Sequence, residues 1–91
     1  MIYEWDENKR LQNIKQHGVD FYSVYEFEWN TTITRTDNRF EYDEIRFISF
    51  GFIKNRLHIL VYTERPPMTR VISLRRANKR EIDYYEKEKT N

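Results

Sequence analysis

The stretch Ile45-Arg46-Phe47-Ile48-Ser49-Phe50-Gly51-Phe52-Ile53, Lys54-Asn55, then Leu57-His58-Ile59-Leu60-Val61-Tyr62-Thr63-Glu64 sets the architecture of this 91-residue chain. Both flanks are rich in β-branched and aromatic residues and read as strands. Lys54-Asn55 between them fits a hairpin loop, although Asn55-Arg56 is a weaker turn signal than Asn-Gly. Pro66-Pro67 breaks the second strand, and Thr69-Arg70-Val71-Ile72-Ser73-Leu74-Arg75 forms the next. Short links of this kind imply an antiparallel meander. On the last strand, strict alternation puts Val71, Ser73 and Arg75 on one face and Arg70, Ile72, Leu74 and Arg76 on the other.

Working outward, Thr31 to Arg35 is β-branched and reads as a further strand, with a polar, turn-rich segment from Asp37 to Asp43 after it. Residues 2–5 alternate as a short first strand. Asp6 is placed as an N-cap with Glu7 in the first turn, opening a helix through Gln16 that Gly18 ends. Leu11 and Ile14 give it a narrow apolar stripe. Asp20 caps a second helix over residues 21–28, with Val19 and Val24 as a hydrophobic staple and Phe21, Val24, Tyr25 and Glu28 marking its core-facing side. Asn78 with Glu81 makes a capping box for a C-terminal helix carrying Ile82 and Tyr85. Condensed, the order reads β-α-α-β-β-β-α, with the helices on one side of the sheet: a single α+β domain over residues 1–91.

Composition narrows the function classes. Fifteen aromatic residues argue against disorder. There is no Cys, and the two His residues lie 41 positions apart, so neither a disulfide scaffold nor a metal site is expected. No apolar run reaches bilayer-spanning length and the start has no signal-peptide core, so the expected compartment is the cytoplasm, with no membrane partner. Charge is nearly balanced overall but unevenly placed. Residues 1–30 hold three Lys/Arg and six Asp/Glu, whereas residues 62–91 hold eight and five. Between Arg65 and Arg80 lie Arg65, Arg70, Arg75, Arg76, Lys79 and Arg80 with no acid among them. An Arg-rich run of this kind fits a polyanion partner or an ordinary solvated face.

Candidate chemistry lies in two places. Lys9, Asn13 and His17, spaced i, i+4, i+8, line one helix face, which reads either as a site edge or as a solvated surface. On the strands, Arg46 shares a face with Ile48, Phe50 and Phe52, and Arg75 sits at the end of an apolar run. A buried Arg must reach solvent, an acid or a ligand. Glu64 and Arg65 close their strand at the Pro-rich loop. There is no Gly-rich phosphate loop and no legible Ser/His/Asp order.

The segment Trp5-Asp6-Glu7-Asn8-Lys9…Asn13-Ile14-Lys15-Gln16-His17-Gly18-Val19-Asp20-Phe21 resembles the opening of the BrnT family, roughly W-D-x-x-K-x-x-x-N-x-x-K-H-G-V-x-F. Further blocks continue it: Asp43 to Ile48, Val61 to Arg65, Arg70 to Ala77, Arg80-Glu81 and Tyr84 to Glu86. Gln16 stands where the family usually has Lys, and Leu74 where it has a small residue. The resemblance implies a RelE-like fold and a ribonuclease toxin of a type II toxin–antitoxin system. It further implies an RNA substrate, a BrnA-type ribbon-helix-helix antitoxin, and contact with operator DNA only through that antitoxin. A metal-independent ribonuclease with no cofactor needs a base, an acid and cations. On that reading His17, Arg46, Glu64 and Arg75 are the catalytic candidates. Lys9, Asn13, Arg65, Arg70 and Arg76 are the substrate-binding ones. The charge pattern alone equally fits a non-catalytic nucleic-acid-binding module or a structural subunit serving a protein partner.

Overall fold

The computed structural model describes residues 1–39, 41 and 43–91. The polar segment expected from Asp37 to Asp43 therefore lies partly outside the described residues. Among these residues the chain forms β1 (Ile2–Glu4), α1 (Glu7–His17), a 3₁₀ helix (Phe21–Glu26), β2 (Glu28–Thr36), β3 (Phe47–Ile53), β4 (Arg56–Arg65), β5 (Met68–Arg76) and α2 (Lys79–Thr90). The α+β class holds. Four strands follow the helical segments, one more than the condensed order allowed. The sheet runs β1-β5-β4-β3-β2, and β2 to β5 form the antiparallel meander. β1 adds itself to the far edge in parallel, making the sheet mixed.

Local signals explain much of this. Lys54 and Asn55 both take positive φ, 48° and 63°, the geometry of a two-residue hairpin turn with primed twist. The Asp6 carboxylate accepts from the Asn8 and Lys9 N–H groups, and Gly18 ends α1 at φ 69°. Asn78 and Glu81 close the expected capping box on α2.

The second helix differs from expectation in kind. It is 3₁₀ and ends at Glu26, because its apolar residues recur every third position. Phe21, Val24 and Phe27 are buried, and Tyr25 is turned out to solvent. Phe27 then lies against the sheet at Gly51, where an added Cβ would overlap the tip of its ring. α1 also docks differently. Leu11 is exposed, and the buried residue of the helix is Asn13.

The helices do not share one side of the sheet. Alternate residues of β4 enter two separate cores. Leu60 and Tyr62 join Phe21, Val24 and Phe27 beneath the 3₁₀ helix, while Ile59 and Val61 join Ile48, Phe50 and Tyr85 beneath α2. Strict alternation on β5 also fails. Val61 pairs with Ser73 and Tyr62 with Val71, so Ile72 is an extra residue in a bulge. Val71 and Leu74 thus reach the same core, and Ile72 the other. Among the described residues no helix is long and apolar enough to cross a membrane.

Candidate active site

The bulge at Ile72 puts Ser73 where two recesses meet. The first, about 230 Å³, lies along α1 and is lined by Lys9, Gln12, Gln16, His17, Ile72 and Ser73. The second, also about 230 Å³, opens on the α2 side of the sheet between Arg35, Arg39, Ser73, Arg75 and Glu81 over a floor of Ile48, Phe50, Ile59 and Val61. Ser73 lines both, and the two recesses together are named the trough.

Each arginine is held by its surroundings. Arg75 Nη1 and Nη2 donate to the two Glu81 carboxylate oxygens at 2.8 and 2.7 Å. That pairing holds the Glu81 carboxyl below the usual carboxylate range and raises the Arg75 guanidinium further. Arg35 pairs with Ile48 across the β2–β3 ladder, and its guanidinium lies 5.8 Å from the Phe50 ring centre and 5.3 Å from that of Tyr84. Arg39 donates through Nε and Nη2 to the two oxygens of buried Asp37, at 2.8 and 2.9 Å. An apolar floor beneath three guanidinium groups lowers the local dielectric and strengthens their pull on an anion.

The profile of the BrnT family, described as the ribonuclease toxin of type II toxin–antitoxin systems, matches residues 5–81. The chain belongs to the BrnT family. No individual curated protein matches it. As a BrnT-family ribonuclease toxin, it is expected to act on RNA and to have an antitoxin partner.

The sequence candidates of this BrnT-family chain separate into groups. Lys9 and His17 line the first recess and Arg75 the second, with Ser73 common to both. Asn13 borders the first, but its amide is committed to the backbone. Nδ2 donates to the carbonyls of Val19 and Leu74 at 2.9 and 2.6 Å, and Oδ1 accepts from the Leu74 N–H at 3.3 Å. Arg76 pairs with His58 and faces the opposite side of the sheet from Arg75.

Glu64, Arg65 and Arg70 lie toward the far end of the strands, whereas Arg46 adjoins the Arg39 corner, its carbonyl accepting from the Asp37 N–H at 2.8 Å. Glu64 is five residues along β4 from Ile59, the partner of Arg75, or about 17 Å at the rise of a strand. Its carboxylate accepts from the Thr69 hydroxyl at 3.1 Å. Arg46 Nε stands 3.9 Å from Glu44, and Arg65 donates to the same carboxylate at 3.0 Å. Arg70 pairs with Glu4 at 3.3 Å across the β1–β5 edge. Arg46 does not line the Arg75 recess.

Sequence reading missed Arg35, Arg39 and Glu81 as site residues. Arg35 had a usable signal, a cation ending a β-branched run, as Arg75 does. The convergence of Arg39 on Arg75 crosses four strands and has no local signature.

Proposed function

We propose that this chain is a metal-independent ribonuclease of RelE-like fold whose cleavage of RNA arrests growth, and that the trough around Ser73 is where it cuts. The observation that supports the reading is the sharing of Ser73 by the recess that holds Lys9 and His17 and the recess that holds Arg35, Arg39 and Arg75. Lys9 grips the phosphate entering along α1. His17 takes the proton of the 2′-hydroxyl and returns it to the leaving 5′-oxygen, an imidazole being able both to accept and to donate. The 2′-oxygen then bonds to phosphorus, the P–O5′ bond breaks, and the products are a 2′,3′-cyclic phosphate and a 5′-hydroxyl. Arg75, Arg35 and Arg39 stabilise the charge that develops on the phosphoryl oxygens. Glu81 orients Arg75 without touching substrate. Glu64, toward the far end of β4, takes no part in this step, Arg46 stands behind the Asp37–Arg39 pair, and Asn13 acts by holding α1 against β5.

A BrnA-type ribbon-helix-helix antitoxin is proposed as the silencing partner in the cytoplasm, carrying the pair to operator DNA. The Glu81 carboxylate on Arg75 supplies the pattern for its contacts: antitoxin carboxylates on Arg35 and Arg39 would fill the trough. Analysis of the cleaved ends tests the chemistry. Cyclic phosphate and 5′-hydroxyl ends are expected; 3′-hydroxyl and 5′-phosphate ends would sink the 2′-hydroxyl mechanism.

A further inference from the structure

The opposite face of the sheet holds a larger recess, about 370 Å³, between the Gly18–Asp20 loop and the β3–β4 hairpin. His58 lies in its wall and is 6% exposed. Its Nδ1 hydrogen-bonds the Arg56 carbonyl at 2.8 Å, which makes Nδ1 the protonated nitrogen and leaves Nε2 as an acceptor. Burial pushes the imidazole pKa down, opposed by the hydrogen bond to the Arg56 carbonyl and assisted by the charges of Arg76 and Arg56, which favours the neutral ring. Nε2 has no partner among the described residues and is not sealed from the recess.

Arg56 follows the hairpin on the same strand as His58, and Arg76 pairs with His58 on β5. Neither guanidinium has an acidic partner among the described residues, whereas the two carboxylates lining the recess are already engaged. Asp20 pairs with Arg10 at 2.9 Å and Glu26 with Lys54 at 3.8 Å. The recess therefore offers two uncompensated guanidinium forks beside a neutral imidazole that accepts. A carboxylate or a phosphodiester group alone satisfies the forks but not Nε2, because neither carries a hydrogen to donate. A phosphate with a hydroxyl beside it satisfies all three.

We propose that the Arg56–His58–Arg76 recess is a ribonucleotide subsite, with a phosphate on the two arginines and the neighbouring 2′-hydroxyl donating to His58 Nε2. The 2′-hydroxyl is the group by which a protein tells RNA from DNA. Arg75 and Arg76 project to opposite faces from adjacent positions, and His17 of the trough adjoins Gly18 of this recess, so one strand rounding the end of β5 meets both sites. The inference rests on the ribonuclease reading for the identity of the polymer, but not for its test.

The test uses nucleoside 3′-monophosphates and their 2′-deoxy forms, which contain no cleavable phosphodiester. NMR titration of the full-length protein follows the His58 imidazole resonances, with RNA cleavage assayed separately on the same sample. The His58 ring is expected to shift saturably, with ribonucleotides about two- to tenfold tighter than deoxynucleotides, the worth of one hydrogen bond. Arg56→Gln/Arg76→Gln should weaken both by more than tenfold while melting like the parent, and His58→Leu should erase the ribo–deoxy difference. Because the ribo–deoxy comparison is made on the parent protein, it survives misfolding of the His58 variant. Equal affinity for ribo and deoxy forms, an equal response to inorganic phosphate alone, or a recess that only the antitoxin occupies would each overturn the subsite. Binding as expected without cleavage would leave the subsite standing and remove the ribonuclease reading instead.

Discussion

Arg75 and Glu81 meet fork to fork, Nη1 to Oε1 at 2.8 Å and Nη2 to Oε2 at 2.7 Å, and the same Oε1 accepts the Asn78 N–H at 2.9 Å. The carboxylate that caps α2 is thus also the one that aims the arginine of the trough. Helix start and site geometry are one construction, joined over the six residues that separate the partners.

Arg75→Ala should lower RNA cleavage by about 10²–10³, the usual loss when a transition-state donor is removed. Arg75→Lys keeps the charge but not the fork and should fall between. Cleavage rates are to be read beside thermal melts, with Lys87→Ala as an exposed control. An Arg75→Ala protein that folds and cuts at the parent rate would remove the proposed site.

The same pair predicts a pH dependence of stability. Hydrogen bonding to Arg75 lowers the Glu81 pKa in the folded state. Its contribution is therefore present above the unfolded carboxylate value, about 4.3, and is lost as the pH falls through the lower folded value. Urea unfolding of the parent and of Glu81→Gln, from about pH 7 down to about pH 3, should show the gap between them closing toward acid. A gap constant across that range would contradict the assignment.

Gly51→Ala should destabilise the fold by about 1–3 kcal/mol, because the added Cβ meets the Phe27 ring and one of the two must move. Gly51→Ala in a Phe27→Leu background should recover part of the loss, since the obstructing ring is gone. Chemical denaturation of the single and double variants measures the coupling, and additive losses would mean the clash is relieved elsewhere.

Asn13→Ala should cost about 2–4 kcal/mol by stranding the N–H and carbonyl of Leu74 and the carbonyl of Val19. Cleavage per folded molecule should change far less. A variant with the parent melting temperature and a large loss of rate would instead make Asn13 a substrate contact.

RNA cleavage should persist in EDTA. The chain has no Cys, His17 and His58 line separate recesses, and no three His, Asp or Glu residues cluster among those described. Loss of all cleavage in EDTA, restored by magnesium with RNA folding controlled, would show a metal-dependent step.

What could be read from the chain was whatever is encoded within a few residues. The Lys54-Asn55 turn, the Asp6 cap, the Gly18 stop and the Asn78–Glu81 box all formed as local chemistry dictates. The three-residue recurrence of Phe21, Val24 and Phe27 was equally local, but it was read with an α-helical period and so turned Tyr25 inward. The β5 bulge was harder to see. Its signal is the burial of Val71 and Leu74 on one face, which a period of two does not allow. Half of the trough was legible, in the polar α1 face and in Arg75. Arg35 and Arg39 were not, because the charge density concentrates at residues 65–80, while the sheet carries cations of β2 and the segment after it to the same place.

β1 covers only Met68 to Arg70 of the outer strand, and beyond it the amide of Asn13 stands in for a neighbouring strand at Leu74. A single side chain on a helix thereby plugs the sheet's exposed edge. Remove it, and Leu74 presents a free backbone donor and acceptor to whatever extended segment comes near, including another copy of the same chain. Asn13→Ala is accordingly expected to self-associate with rising concentration, visible by light scattering below its melting temperature. That amide is as much a guard against aggregation as a brace for α1.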